Sequence, residues 1–205
     1  PLFTAGDVLP INPVTELDIR KLVMDVEGVR NAWITTAKDY EIPVYADQVN
    51  KTLTLEEANA NALIPIKGLF NVLIEFEPRY DGRSEEDLDE RELEIQHSFY
   101  NKTRQEVRKT ILEHRSLCED VMNIGQVEYE DIAVCADIEL HPNADVALTQ
   151  AKIFLKLIDY FSPPINFYSL EEMTDKGKTI DEIFEGPLLK NGFIDNDELK
   201  LIDLR

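Results

Sequence analysis

Ile19, Leu22, Val23 and Val26 recur at i, i+3, i+4 and i+7, a spacing that gathers apolar side chains on one side of a helix. Thr15 stands before them with Asp18 three residues on, a reciprocal pairing that satisfies two amides at a helix start. A helix is predicted from Thr15 to about Val26, stopped at Gly28. The period then falls to two, which marks strands. Residues 29–36 (VRNAWITT) and 69–76 (LFNVLIEF) read as strands, with Phe70, Val72, Ile74 and Phe76 on one face of the second. Two β-prone runs within 40–55, parted by the polar DQVNK, predict a hairpin. Thr54 with Glu57 predicts a short helix ended by Pro65, and residues 2–13 read as a loop or edge segment.

Further on, Phe99, Val107 and Ile111 predict a helix over about 97–115, followed by a turn over Leu117–Gly125. Ile132, Val134, Ala136, Ile138 and Leu140 alternate with Ala133, Cys135, Asp137 and Glu139, the pattern of a strand with one face buried. A helix is predicted over about 144–161, with Val146, Gln150, Ile153, Phe154, Leu157 and Phe161 inward. Pro163 and Pro164 end it, because proline holds its predecessor extended. Between the halves, residues 78–94 carry eight acids in seventeen positions. Such a stretch suits a solvated insertion, a helix start or a domain boundary. The similar quartets DIRK at 18–21 and EVRK at 106–109 hint at an internal duplication.

Residues 163–204 hold three potential capping boxes: Ser169 with Glu172, Thr179 with Glu182, and Asp195 with Glu198. Gly177 and Gly186 suit the left-handed turns that stop helices. Helices this short are unstable alone, so their apolar side chains must dock on the chain's own core or on another subunit. Phe167, Tyr168, Phe184, Pro187, Leu188, Leu189 and Phe193 are the candidate partner-binding residues, with Phe184 and Phe193 foremost. The expected class is α+β: two small antiparallel-sheet and helix units in tandem, then a tail of short helices. The units are expected at 1–78 and 96–162, with 79–95 as insertion or linker. The tail, 163–205, is expected to lead to a further strand, and the chain to be a piece of a longer protein.

Acids outnumber bases 41 to 21, for a net charge of −20. A polyanion repels phosphate backbones and anionic lipid, which argues against nucleic-acid and membrane-surface roles and leaves neutral or basic protein partners. Cys118 and Cys135 read as small core residues in a reducing compartment. No glycine-rich phosphate loop is present, and His97, His114 and His141 are scattered without metal-ligand spacing. No catalytic, cofactor-binding or metal-binding residue is therefore assigned. The acids to inspect first are Glu119 and Asp120. An alternative reading, a carboxylate-rich metal-dependent hydrolase, would use them with Asp131 and Asp137.

Three segments carry a family likeness. Residues 66–75 (IKGLFNVLIE) resemble the G-L-Y-x-V-x-(I/V)-E strand of the baseplate J-like proteins, with Phe70 in place of tyrosine. Arg104, Val107 and Arg108, with RSLCED at 115–120, resemble that family's R-x-L-x-E-D passage from helix to strand. Residues 162–173 (SPPINFYSLEEM), with Gly177, IFEGPL at 183–188 and GFID at 192–195, resemble the injection-particle branch of antifeeding-prophage type. The resemblance implies a structural wedge protein without an active site. Such a protein contacts copies of itself and other wedge proteins in a ring and relays the contraction signal. It would be oligomeric only in the full assembly, built in the bacterial cytoplasm and then held in the baseplate. A stand-alone cytosolic adaptor is the other non-enzymatic reading.

Overall fold

The computed structural model describes residues 3–38, 42–57, 61–64, 68–80, 83, 85–128, 133–161 and 163–203. The chain forms two units: residues 1–126 with 184–190, and residues 127–183 with 191–205.

The first unit opens with a helical turn, α1 (Ala5–Val8), where a loop or edge segment was expected. Helix α2 (Glu16–Met24) starts where the sequence places it, because the Thr15 hydroxyl accepts from the Asp18 amide at 3.1 Å. The Asp18 carboxylate in turn accepts from the Thr15 amide at 2.9 Å. Strand β1 (Val29–Thr36) follows, then β2 (Val44–Asp47), β3 (Thr52–Thr54), β4 (Asn61–Ile64) and β5 (Leu69–Phe76). Helix α3 (Glu90–His114) and strand β6 (Asp120–Gln126) complete the unit's elements.

One sheet has the order β1-β5-β6. β1 runs antiparallel to β5, setting Ala32 opposite Ile74 and Ile34 opposite Val72, whereas β6 runs parallel to β5. Parallel neighbours need a long crossover, and α3 supplies it. Ile19, Leu22 and Val23 of α2 and Val107 and Ile111 of α3 are buried, as are Ala32, Val72, Ile74, Phe76 and Val121 of the sheet. The α+β class is as expected, but the arrangement of tandem antiparallel sheets is corrected: a single mixed sheet joins residues on both sides of 79–95. The end of the acid-rich stretch, from Asp89 on, is a helix start. Asp89 caps α3, and the acids Glu90 and Glu92 occupy its first turn, where the helix dipole favours negative charge.

Three further expectations change. The helix expected after Thr54 is not formed over 61–64, which is strand β4 paired with β2 in the sheet β3-β2-β4. Cross-strand pairing there outweighs the local capping signal; residues 58–60 and Pro65 lie outside the described residues. The turn expected over 117–125 is mostly β6, recruited by pairing with β5. Cys118 and Cys135 are both exposed rather than in a core.

The second unit contains α4 (Val146–Phe161), α5 (Leu170–Asp175), α6 (Ile180–Ile183) and α7 (Asn196–Asp203). Residues 133–140 join no strand ladder among the described residues, and Asp131 and Ile132 lie outside them. Alternation gives a strand only where another strand lies alongside to take its backbone hydrogen bonds. Val134, Ala136, Ile138 and Leu140 instead line a groove with Ile153 and Leu157 of α4. The further strand expected near the chain's end is absent over 201–203, which continue α7.

Candidate interaction surface

The short helices of 163–203 are held by caps and charge. Ser169 Oγ accepts from the Glu172 amide at 3.2 Å while the Glu172 carboxylate accepts from the Ser169 amide at 2.8 Å. Thr179 and Glu182 repeat the pattern. Backbone hydrogen bonds from Ser169 and Thr179 hold both glutamates below the ordinary carboxylate range. The third box is corrected. Asp195 accepts from the Asp197 amide at 3.0 Å, but Glu198 turns away to accept the Tyr168 hydroxyl, at 2.9 Å to one oxygen, and to pair with Lys176. A charged ammonium partner outcompetes a neutral backbone amide, because charge-assisted hydrogen bonds are the stronger ones.

Lys176 and Lys178 tie α5 to the start of α7. Lys178 Nζ donates to Asp195 at 2.8 Å and to Asp197 at 2.6 Å. Lys176 Nζ stands 3.7 Å from the centre of the Tyr168 ring, a cation–π contact. The hydrogen bonds to Asp195 and Asp197 raise the pKa of Lys178. Burial opposes the charge on Lys176, but its bonds to Glu198 and Tyr168 outweigh that and raise its pKa too. Burial likewise works against ionised Asp195, and Lys178 reverses the balance, so its carboxyl lies below the ordinary range. Tyr168 and Phe193 form a two-residue antiparallel bridge, each amide donating to the other's carbonyl at 2.8 Å. Gly192 permits that approach, since a Cβ there would lie 2.7 Å from the Tyr168 carbonyl oxygen.

The seven candidate contact residues thus divide. Phe167, Tyr168 and Phe193 belong to the second unit and are half-buried; Tyr168 and Phe193 are brought together. Phe184, Pro187, Leu188 and Leu189 belong to the first unit, where segment 184–190 lies on α2. There Lys21 Nζ donates to the Glu185 carbonyl at 2.9 Å and the Lys190 amide donates to Asp25 at 2.7 Å. Burial pushes the Lys21 pKa down, with Asp18 and Glu185 partly offsetting it. Of the seven, Leu188 is the most open, at 59% exposed.

The acids singled out for chemistry shape a turn. Arg115 donates to the Glu119 carbonyl at 3.0 Å and pairs with Asp120 at 3.1 Å. The Ser116 amide donates to the Glu119 carboxylate at 3.0 Å. Asp137 is exposed, and Asp131 lies outside the described residues. Among the described residues no group of three or more His, Cys, Asp and Glu is placed to hold a metal ion. No helix among them is long and apolar enough to cross a membrane.

Sequence reasoning missed how open the apolar positions of α4 are. Phe154 and Phe161, expected inward, are 57% and 50% exposed, and Leu148, Leu155 and Ile158 on the outward side are exposed as well. The signal was present: apart from Lys152, Lys156 and Asp159, the helix carries no charge on any side, unlike an ordinary surface helix.

Capped helices locked by ion pairs and bearing apolar side chains present surfaces of fixed shape. Residues 128–200, just over a third of the chain, match the family model described as baseplate wedge Pvc12-like domain 3. The match supports a structural baseplate component of a phage-tail-like particle; it does not single out the J-like group. Comparison with curated proteins finds no match.

Proposed function

We propose that this protein is a wedge component of a contractile-tail or injection-particle baseplate. It makes ring contacts with other wedge proteins and with copies of itself, and relays the contraction signal. It is built in the bacterial cytoplasm and then held in the baseplate. The family match over 128–200 carries this reading, because that span takes in the capped helices and their lysine–carboxylate ties. Elements fixed so tightly give surfaces of defined shape, which a symmetric assembly requires. The proposal extends to the J-like wedge group on the motifs at 66–75 and 104–120. Phe167, Tyr168, Phe184, Pro187, Leu188, Leu189 and Phe193 are its candidate contacts. The net charge of −20 favours neutral or basic protein partners over nucleic acid or membrane.

Co-expression with the other wedge proteins of the same particle tests the reading. Co-purification as a complex of fixed stoichiometry is expected. Failure to bind any of them refutes it.

A further inference from the structure

Residues 133–140 of the second unit have the geometry of a strand without a neighbour. They contain no turn or bend and join no strand ladder among the described residues. Every second side chain, Val134, Ala136, Ile138 and Leu140, lines the groove with α4, as the period of two in an extended chain requires. The intervening Ala133, Cys135, Asp137 and Glu139 are exposed. The apolar side is only partly covered, since Val134 and Ile138 are themselves 51% and 53% exposed. The helix beneath is wider than the segment lying on it. Ile153 and Leu157 form a half-buried row, whereas Phe154 and Phe161, in the next row round, are open. Lys152, Lys156 and Asp159 all fall on the other side of the Ile153–Leu157 row, given about 3.6 residues per turn.

We infer that 133–140 takes a strand from a different protein, one whose side chains alternate between apolar and basic. The backbone names the first part of that chemistry, because an extended segment outside any ladder is completed by another strand. The helix names the second. The apolar side chains of the incoming strand come to rest on Phe154 and Phe161, the side of α4 that its charged residues avoid. The outward face names the third. There the remaining side chains of the incoming strand stand beside Asp137 and Glu139, where opposite charges stabilise a cross-strand pair and like charges destabilise it. The same rule disfavours a second copy. Pairing 133–140 with itself would bring Asp137 and Glu139 of both copies onto one face, in chains that each carry −20.

This contact goes beyond the wedge reading and does not rest on it, because the partner is defined by its chemistry and not by its assembly. The probe is a fluorescent octapeptide, Val-Lys repeated four times, titrated against the full chain at physiological salt. Saturable binding is expected, with hydrogen exchange slowed at every second amide of 133–140, since alternate amides point to one edge of a strand. A peptide of the same composition, four valines then four lysines, should bind at least tenfold more weakly, as should a Val-Glu repeat. Asp137→Lys with Glu139→Lys should reverse the preference between the two repeats. Phe154→Asp should weaken the Val-Lys repeat at least tenfold without lowering the melting temperature, its side chain being 57% exposed; Ile138→Asp replaces it should that variant fail to fold. Equal binding of the block peptide would mean that net charge alone attracts the probe, and would overturn the inference. Absence of binding, protection confined to amides outside 133–140, or an unreversed preference would overturn it as well. Protection of 133–140 that grows with the concentration of the chain alone would seat a second copy there and overturn it too. Failure to co-purify with wedge proteins would remove the wedge reading and leave this result intact.

Discussion

Gly186 lies against Asp18 so closely that a Cβ on the glycine would stand 2.7 Å from the carboxylate Oδ1. Asp18 cannot readily yield: it is 6% exposed and holds the Thr15 and Val14 amides at the start of α2. The Gly186 carbonyl in turn accepts from the Ile11 amide at 3.0 Å. One glycine thus lets segment 184–190 settle on the first unit.

Gly186→Ala should therefore cost stability twice, through its φ of +94° and through the displaced cap. We expect a loss of about 2–4 kcal/mol, the sum of left-handed strain and a lost N-cap. Gly177→Ala is the control, since its φ is +82° but a Cβ there meets nothing within 4 Å; it should cost only the left-handed strain, about 1–2 kcal/mol. Urea unfolding of both variants measures the difference. Equal losses would mean that the contact with Asp18 contributes nothing.

The ties of Lys178 to Asp195 and Asp197 predict a pH dependence in the second unit. The folded pKa of Asp195 is lowered, so its contribution is present above the unfolded value of about 3.9 and is lost as pH falls through the folded one. The folded pKa of Lys178 is raised, so its contribution is present below about 10.4 and is lost as pH rises through the folded one. Lys178→Met should lower stability by about 1.5–3 kcal/mol near neutrality, with the deficit shrinking below about pH 4. Melting curves from acid to neutral pH measure it. A deficit that does not change with pH would assign the loss to packing.

Local signals were legible where local groups compete only with one another. The Thr15–Asp18 and Ser169–Glu172 boxes form as read, and the face Phe70–Val72–Ile74–Phe76 turns to the core apart from the half-buried Phe70. Signals failed where a distant partner intervened. Asp120–Gln126 becomes a strand because β5, some fifty residues earlier, pairs with it across α3. Asn61–Ile64 becomes a strand because β2 offers an edge, and Glu198 abandons its cap because Lys176 and Tyr168 reach it. Of the contact residues, the bridge between Tyr168 and Phe193 depends on a turn at Gly192 that no periodicity announces.

Leu188 separates contact from core among the seven candidates. At 59% exposed, Leu188→Asp should change stability by less than about 0.5 kcal/mol while weakening binding to other wedge proteins at least tenfold. Phe184→Ala and Phe193→Ala, both half-buried, should reduce binding more than they reduce the melting temperature. Parallel melting and binding titrations decide this. Should the two phenylalanine variants simply unfold, those side chains are core and their assignment to the interface is wrong.

Salt is the remaining discriminator, because a chain of net charge −20 meeting a basic partner gains from long-range attraction. Exposed charges are screened over about 8 Å at physiological ionic strength and about 3 Å at 1 M salt. Steering acts chiefly on the association rate. Raising salt from low to physiological strength should slow association with a basic wedge partner by roughly tenfold or more, while dissociation changes little. Stopped-flow association with the partner over a salt series gives the slope. Association with the partner that is indifferent to salt would remove charge from the account of that interface and leave apolar contact as its basis.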